Sequence, residues 1–285
     1  MKTSLKILIA ALILIALVGG GYYYSRNHIP KAPNPLLEST SASDYEQSEV
    51  DVDLTVKAPD QPPSVQPTEK PKPLVAPPSP DSSAPWRSLS AFDLKPAFAS
   101  QAPTGDWDEP YQNACEEAAA IIAAHYFLEQ PLDAAIMDQE IKKLVAWEVA
   151  KFGYYEDTPL SQIKIILNDY FQVQAEILNK PTTDQIKQAL YRGHLILVPA
   201  SGRRLDQPNF TAPGPIYHAL IIRGWQREQF ITNDPGTRKG DGFKYDYENL
   251  LQAIYDPPTG GATMDVETLE QGSRAVLIIG PKVLN

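Results

Sequence analysis

The sequence predicts an α+β domain, helices packed on an antiparallel sheet, and three observations point there. Between about Ala91 and Asn285, apolar residues at helical spacing come first and short β-branched runs come later. More than half of the chain's 27 prolines lie ahead of the helical part, between Pro30 and Pro103. The extreme N-terminus is apolar and of a different character from either.

Taken in order, residues 1–24 read as a signal anchor or transmembrane helix. Lys2 and Lys6 precede the run Ile7–Val18, and Gly19, Gly20, Gly21 and three tyrosines follow it. About 17–25 apolar residues are needed to span a bilayer. The lysines favour the cytoplasmic side and Tyr22–Tyr24 the far interface. A cleaved signal peptide is the alternative, and in either case the bulk of the chain leaves the cytoplasm. Residues 25–90 read as a proline-rich linker, with runs such as Pro62-Pro63 and Pro77-Pro78-Ser79-Pro80 and few aromatics. Such a segment cannot bury enough apolar surface to fold.

The domain expected over 91–285 opens with a helix from Cys115 to about Leu128, with Asn113 as its cap and Glu116 completing a capping box. A second helix is expected near Leu132–Phe152, a third near Leu160–Tyr170, and a short one capped by Thr182 or Thr183 and ending at Gly193. Strands are expected at Leu195–Val198, Tyr217–Arg223, Gln229–Thr232 and Ala275–Ile279.

The net charge of −10 argues against nucleic-acid binding, which needs a basic face. A single cysteine excludes a disulfide framework and a multi-cysteine zinc site. No phosphate-loop pattern is present, and no cofactor or metal site is expected. A calcium loop at Asp234–Gly242 lacks the alternating acids that such loops use.

Cys115 is that single cysteine, and the expected helix start would favour its thiolate. A buried structural thiol is the plain alternative. A catalytic thiol needs a base. His125 lies nearly three turns along the same helix, out of reach. His194 stays open, and His28 lies beside the apolar N-terminus. His218 begins a strand, and a hairpin turn centred on Gln226 sets it opposite Asp234, about 4.5–5.5 Å away between Cβ atoms. A slip of one residue sets it opposite Asn233 instead. Either side chain can orient an imidazole.

The segments Phe98–Pro103, Trp107–Ala118, Tyr217-His218-Ala219 and Asn233–Thr237 together resemble the C39-like domain of papain-like cysteine peptidases. The resemblance implies a papain-like fold and a stand-alone bacterial peptidase. It makes Cys115 the nucleophile, His218 the base, Asp234 the orienter and Gln101 the oxyanion donor, with Gln112 as the alternative donor. Glu116 departs from the Cys-Gly pair of many relatives, and cleavage after a double glycine, the task of the transporter-fused members, is not expected. The expected function is an exported, membrane-tethered hydrolase of peptide bonds with a peptide or protein substrate. A peptide-binding module with an inactive triad and a cell-wall peptide hydrolase are the rival readings.

Overall fold

A computed structural model of the protein describes residues 84–261 and 264–280. The expected membrane segment, residues 1–24, and most of the expected linker lie outside them. Among the described residues no helix is long and apolar enough to cross a membrane.

Helices pack on an antiparallel sheet, as the sequence predicts. The strands are β1 (Ala91–Asp93), β2 (Gln174–Asn179), β3 (Leu195–Ser201), β4 (Tyr217–Gln226), β5 (Gln229–Asn233), β6 (Asp241–Asp246) and β7 (Ala275–Gly280). They run in the order β2-β7-β3-β4-β5-β6, with β1 added to the far end of β4. The helices are α1 (Cys115–Phe127), α2 (Ala134–Phe152), α3 (Leu160–Ile165), α4 (Thr183–Tyr191), α5 (Tyr247–Ala253) and α6 (Val266–Glu270). The third predicted helix keeps its full length only as α3 followed by a π-helical turn, Ile166–Tyr170.

Helix α1 is the pivot of the core. Ala118 to Ala124 are all buried, with no polar stripe. A helix that is apolar all round belongs inside, and its alanines let it lie close to α2 and β4. Helix α2 is capped by Asp133, whose side chain accepts from Ile136 N–H at 2.9 Å, and closed by Gly153 at φ 88°. Thr182 caps α4 in a capping box with Gln185.

Alternation along β4 divides the core in two. Tyr217, Ala219 and Ile221 join the cluster under α1 and α2. Leu220, Ile222 and Trp225 join a second cluster with α4, α5 and Trp86. Trp86 sits in the turn Pro85–Ser88 and is 4% exposed, while Trp225 Nε1 donates to Leu89 O at 3.3 Å. The packed structure therefore reaches back past Ala91, to Ala84 at least. Composition concealed this because one buried tryptophan holds a proline-bearing turn in place.

Candidate active site

Cys115 begins α1, and the expected capping box is absent. Ala114 is the N-cap and offers no side-chain bond. Asn113 instead gives its amide to Glu109 Oε1 at 2.8 Å. Glu116 turns inward, where Oε1 accepts from Thr158 N–H at 2.6 Å and Oε2 accepts from the Cys115 thiol at 3.0 Å. Among the described residues the Cys115 backbone N–H has no hydrogen-bond partner. That leaves one free donor at the sulfur.

The thiol is not activated in this arrangement. Burial pushes the Cys115 pKa well above its usual value, and the nearby carboxyls of Glu116, Glu117 and Asp157 push the same way. The thiolate expected from the helix start is thus overridden. The dipole of a first turn contributes less than full burial beside a carboxylate opposes.

His218 and Asp234 meet as the sequence anticipates, by a different register. The β4–β5 turn is the two-residue loop Arg227-Glu228, with Arg227 at φ 54°, and Gln226 pairs with Gln229. A bulge at Arg223 shifts the pairing again, so that Ile221 lies opposite Asn233. Carried on, this register places Gly236 opposite His218. A Cβ on Gly236 would fall 2.7 Å from His218 Cε1. Asp234 therefore reaches His218 along the diagonal, and Nε2 donates to Asp234 Oδ1 at 2.8 Å. Both side chains are buried, at 2% and 0% exposure.

Asp234 is held on every side. Oδ1 also accepts from Gly236 N–H at 3.1 Å, and Oδ2 accepts from Gln207 Nε2 at 2.9 Å and Tyr245 Oη at 2.5 Å. Burial alone would raise its pKa. The charge and hydrogen bond of His218, with those of Tyr245 and Gln207, outweigh burial and hold it below the ordinary carboxylate value. Asn233 has a different task. Its amide donates to Pro96 O and Ala97 O and its carbonyl accepts from Arg223, so it straps the N-terminal segment to the sheet.

Gln207 and Tyr245 were missed from the sequence. Tyr245 stands opposite Phe230 on β6, a strand that carried no clear period. Gln207 lies in the β3–β4 connection, where no spacing rule applies. Phe210, from the same connection, sets its ring edge-on to the imidazole at 5.1 Å.

Cys115, His218, Gln101 and Gln112 line one open cleft of about 660 Å³. Gln101 is buried, but its amide is already committed. Nε2 donates to Tyr111 O at 2.9 Å and Gln112 O at 3.2 Å, which braces the turn leading into Cys115. Its N–H donates to Pro235 O at 3.0 Å, tying this segment to the Asp234 loop. Gln112 is exposed at the cleft, and among the described residues its side chain has no hydrogen bond. His125 bonds Pro131 O and His194 bonds Ala189 O, both away from the cysteine. Among the described residues no group of three or more His, Cys, Asp or Glu side chains is placed to hold a metal.

No protein-family model and no curated protein matches the sequence. Among solved structures, one that aligns is a Bacillus anthracis protein described as a candidate C39-like peptidase. The TM-score is 0.42 and the sequences are 15% identical, over 66% of this chain and 96% of that one.

Proposed function

We propose that this chain is a cysteine peptidase, exported and tethered to the membrane by its N-terminal segment, that hydrolyses peptide bonds with Cys115, His218 and Asp234. The supporting observation is the buried Asp234–His218 bond at 2.8 Å, opening on the same cleft as the only cysteine. An imidazole whose Nε2–H is fixed on a carboxylate presents Nδ1 as its base. The order Cys, His, Asp along the chain is that of the family it resembles.

In this reading the thiol proton passes to His218 Nδ1, and the sulfur forms a bond to the substrate carbonyl carbon. His218 then returns the proton to the leaving amine as the C–N bond breaks. Water, deprotonated by the same nitrogen, hydrolyses the thioester. The developing oxyanion takes the Cys115 N–H and a side-chain donor. Gln112 has a free amide for that role. Gln101 fills it only by giving up one of its two carbonyl partners, and otherwise keeps the turn in place. The mechanism also requires the thiol to exchange Glu116 for His218.

Peptide hydrolysis by the purified full chain is the test. Cys115→Ser and His218→Ala should abolish it with circular dichroism unchanged. Asp234→Ala should lower it less, because the orienter only positions the base. Full hydrolysis by Cys115→Ser would dismiss the assignment.

A further inference from the structure

The cleft is charged against the trend of the molecule. The chain carries a net −10, yet the residues lining the cleft include Arg238 and Lys239 and no aspartate or glutamate. Both side chains are exposed, and among the described residues neither has a hydrogen bond or ion pair. Arg238 Nη1 lies beside Gly105, 3.7 Å from where a Cβ would stand, yet Asp106 and Asp108, which flank Trp107, pair with neither cation. Asp106 is instead occupied with Asp108 N–H.

The two cations sit on a loop that the site itself holds rigid. Asp234 N–H donates to Gly240 O at 3.1 Å, and Gly240 N–H to Thr237 O at 3.2 Å. Lys239 N–H donates to Thr237 Oγ1 at 3.2 Å. The closure is tight enough that a Cβ on Gly240 would fall 1.8 Å from Asp234 O. At the loop's start, Gly236 rests on the His218 ring. Two residues of chain span at most about 7 Å, so Arg238 begins within that distance of the imidazole's backing. Arg238 and Lys239 line the same cleft as Cys115 and His218.

We propose that this cleft selects peptides with an acidic side chain adjacent to the scissile bond, read by Arg238 and Lys239. The inference rests on the peptidase reading and gives it a substrate class. The loop backbone is already held, so only the two side chains are left to order when a carboxylate binds. Exposure limits the gain to that of surface ion pairs. The preference for Asp or Glu over Lys or Arg should therefore be about fivefold to tenfold at low salt and shrink as the Debye length falls to about 3 Å near 1 M.

The experiment is digestion of a mixed peptide library by the full chain, with cut sites read by mass spectrometry. Asp and Glu should be enriched at one position flanking the cut. The double variant Arg238→Glu/Lys239→Glu should reverse the enrichment, and Arg192→Glu, on a surface outside the cleft, should leave it unchanged. An even distribution, or the same enrichment in the double variant, would overturn the proposal. If the full chain cleaves no peptide, the peptidase reading fails by itself, and binding decides the subsite. Cys115→Ala protein should then bind an Asp-rich peptide more tightly than a Lys-rich one, and lose that difference with the double variant. Equal binding of the two peptides would overturn it.

Discussion

Glu116 sets the resting state of Cys115. Its carboxyl accepts the thiol proton's hydrogen bond at 3.0 Å and is itself pushed well above the carboxylate range, by burial first and by Glu117 and Asp157 after it. Two buried acids in contact cannot both lose their protons readily, because a negative charge on either opposes one on the other. Glu116→Gln keeps an oxygen for Thr158 N–H and cannot ionise. The midpoint of Cys115 alkylation by iodoacetamide, followed against pH, should move down in this variant. An unchanged pH profile would show that burial alone holds the thiol neutral.

Between α1 and α2 lies a second pair of acids. Glu117 and Glu148 are fully buried, and among the described residues no donor from any other side chain or backbone group reaches their carboxyls. Burial without a partner donor favours the protonated form of both. Burial, then the neighbouring charge, pushes Glu117 well up, and burial pushes Glu148 up to about 8. The folded state thus holds protons that the unfolded chain releases above its ordinary value of 4.5. Stability from this pair is complete below about pH 4.5 and is lost as pH rises through 8, by up to about 1.4 kcal/mol per pH unit for each proton. Glu148→Gln should flatten that decline in urea unfolding between pH 5 and pH 9. An equally steep decline would mean the pair is not its source.

The same helices show what a sequence can tell at this scale. The limits of α2 were legible because its apolar spacing lies between Asp133 and Gly153, whereas α1 was legible from its helix formers although its expected cap is absent. The hairpin of β4 and β5 was legible from two apolar runs around a short loop. Its register was not, because the Arg223 bulge depends on Asp93, Asn233 and Asp241, which converge only in the fold. Strands β1, β2 and β6 and helices α5 and α6 carry no clear signal in the sequence. Glu117 lies in the core, which no local pattern reveals. The His218–Asp234 pair survived the wrong register because a diagonal neighbour on a sheet is still within reach of a carboxylate.

Across the whole molecule, the proposed reading places a peptide-cutting cleft beyond an apolar segment and a proline-rich spacer. A spacer ending ahead of Ala84, about 60 residues, would reach roughly 180 Å in the polyproline form, at about 3.1 Å per residue, and less if it were flexible. Fractionation of cells making the full chain should find it with the membrane, its domain open to added protease from outside. Recovery in the soluble cytosol would rule out the tether. Recovery outside the cell without the first ~20 residues would make the segment a cleaved signal. The central claim, that His218 drives Cys115 as a nucleophile, is tested most directly by an electrophilic peptide probe on the full chain. The wild type should gain one adduct, mapped to Cys115, and His218→Ala should gain it at least about 100-fold more slowly, the usual scale of general-base assistance. Equal rates in the two proteins would contradict the account.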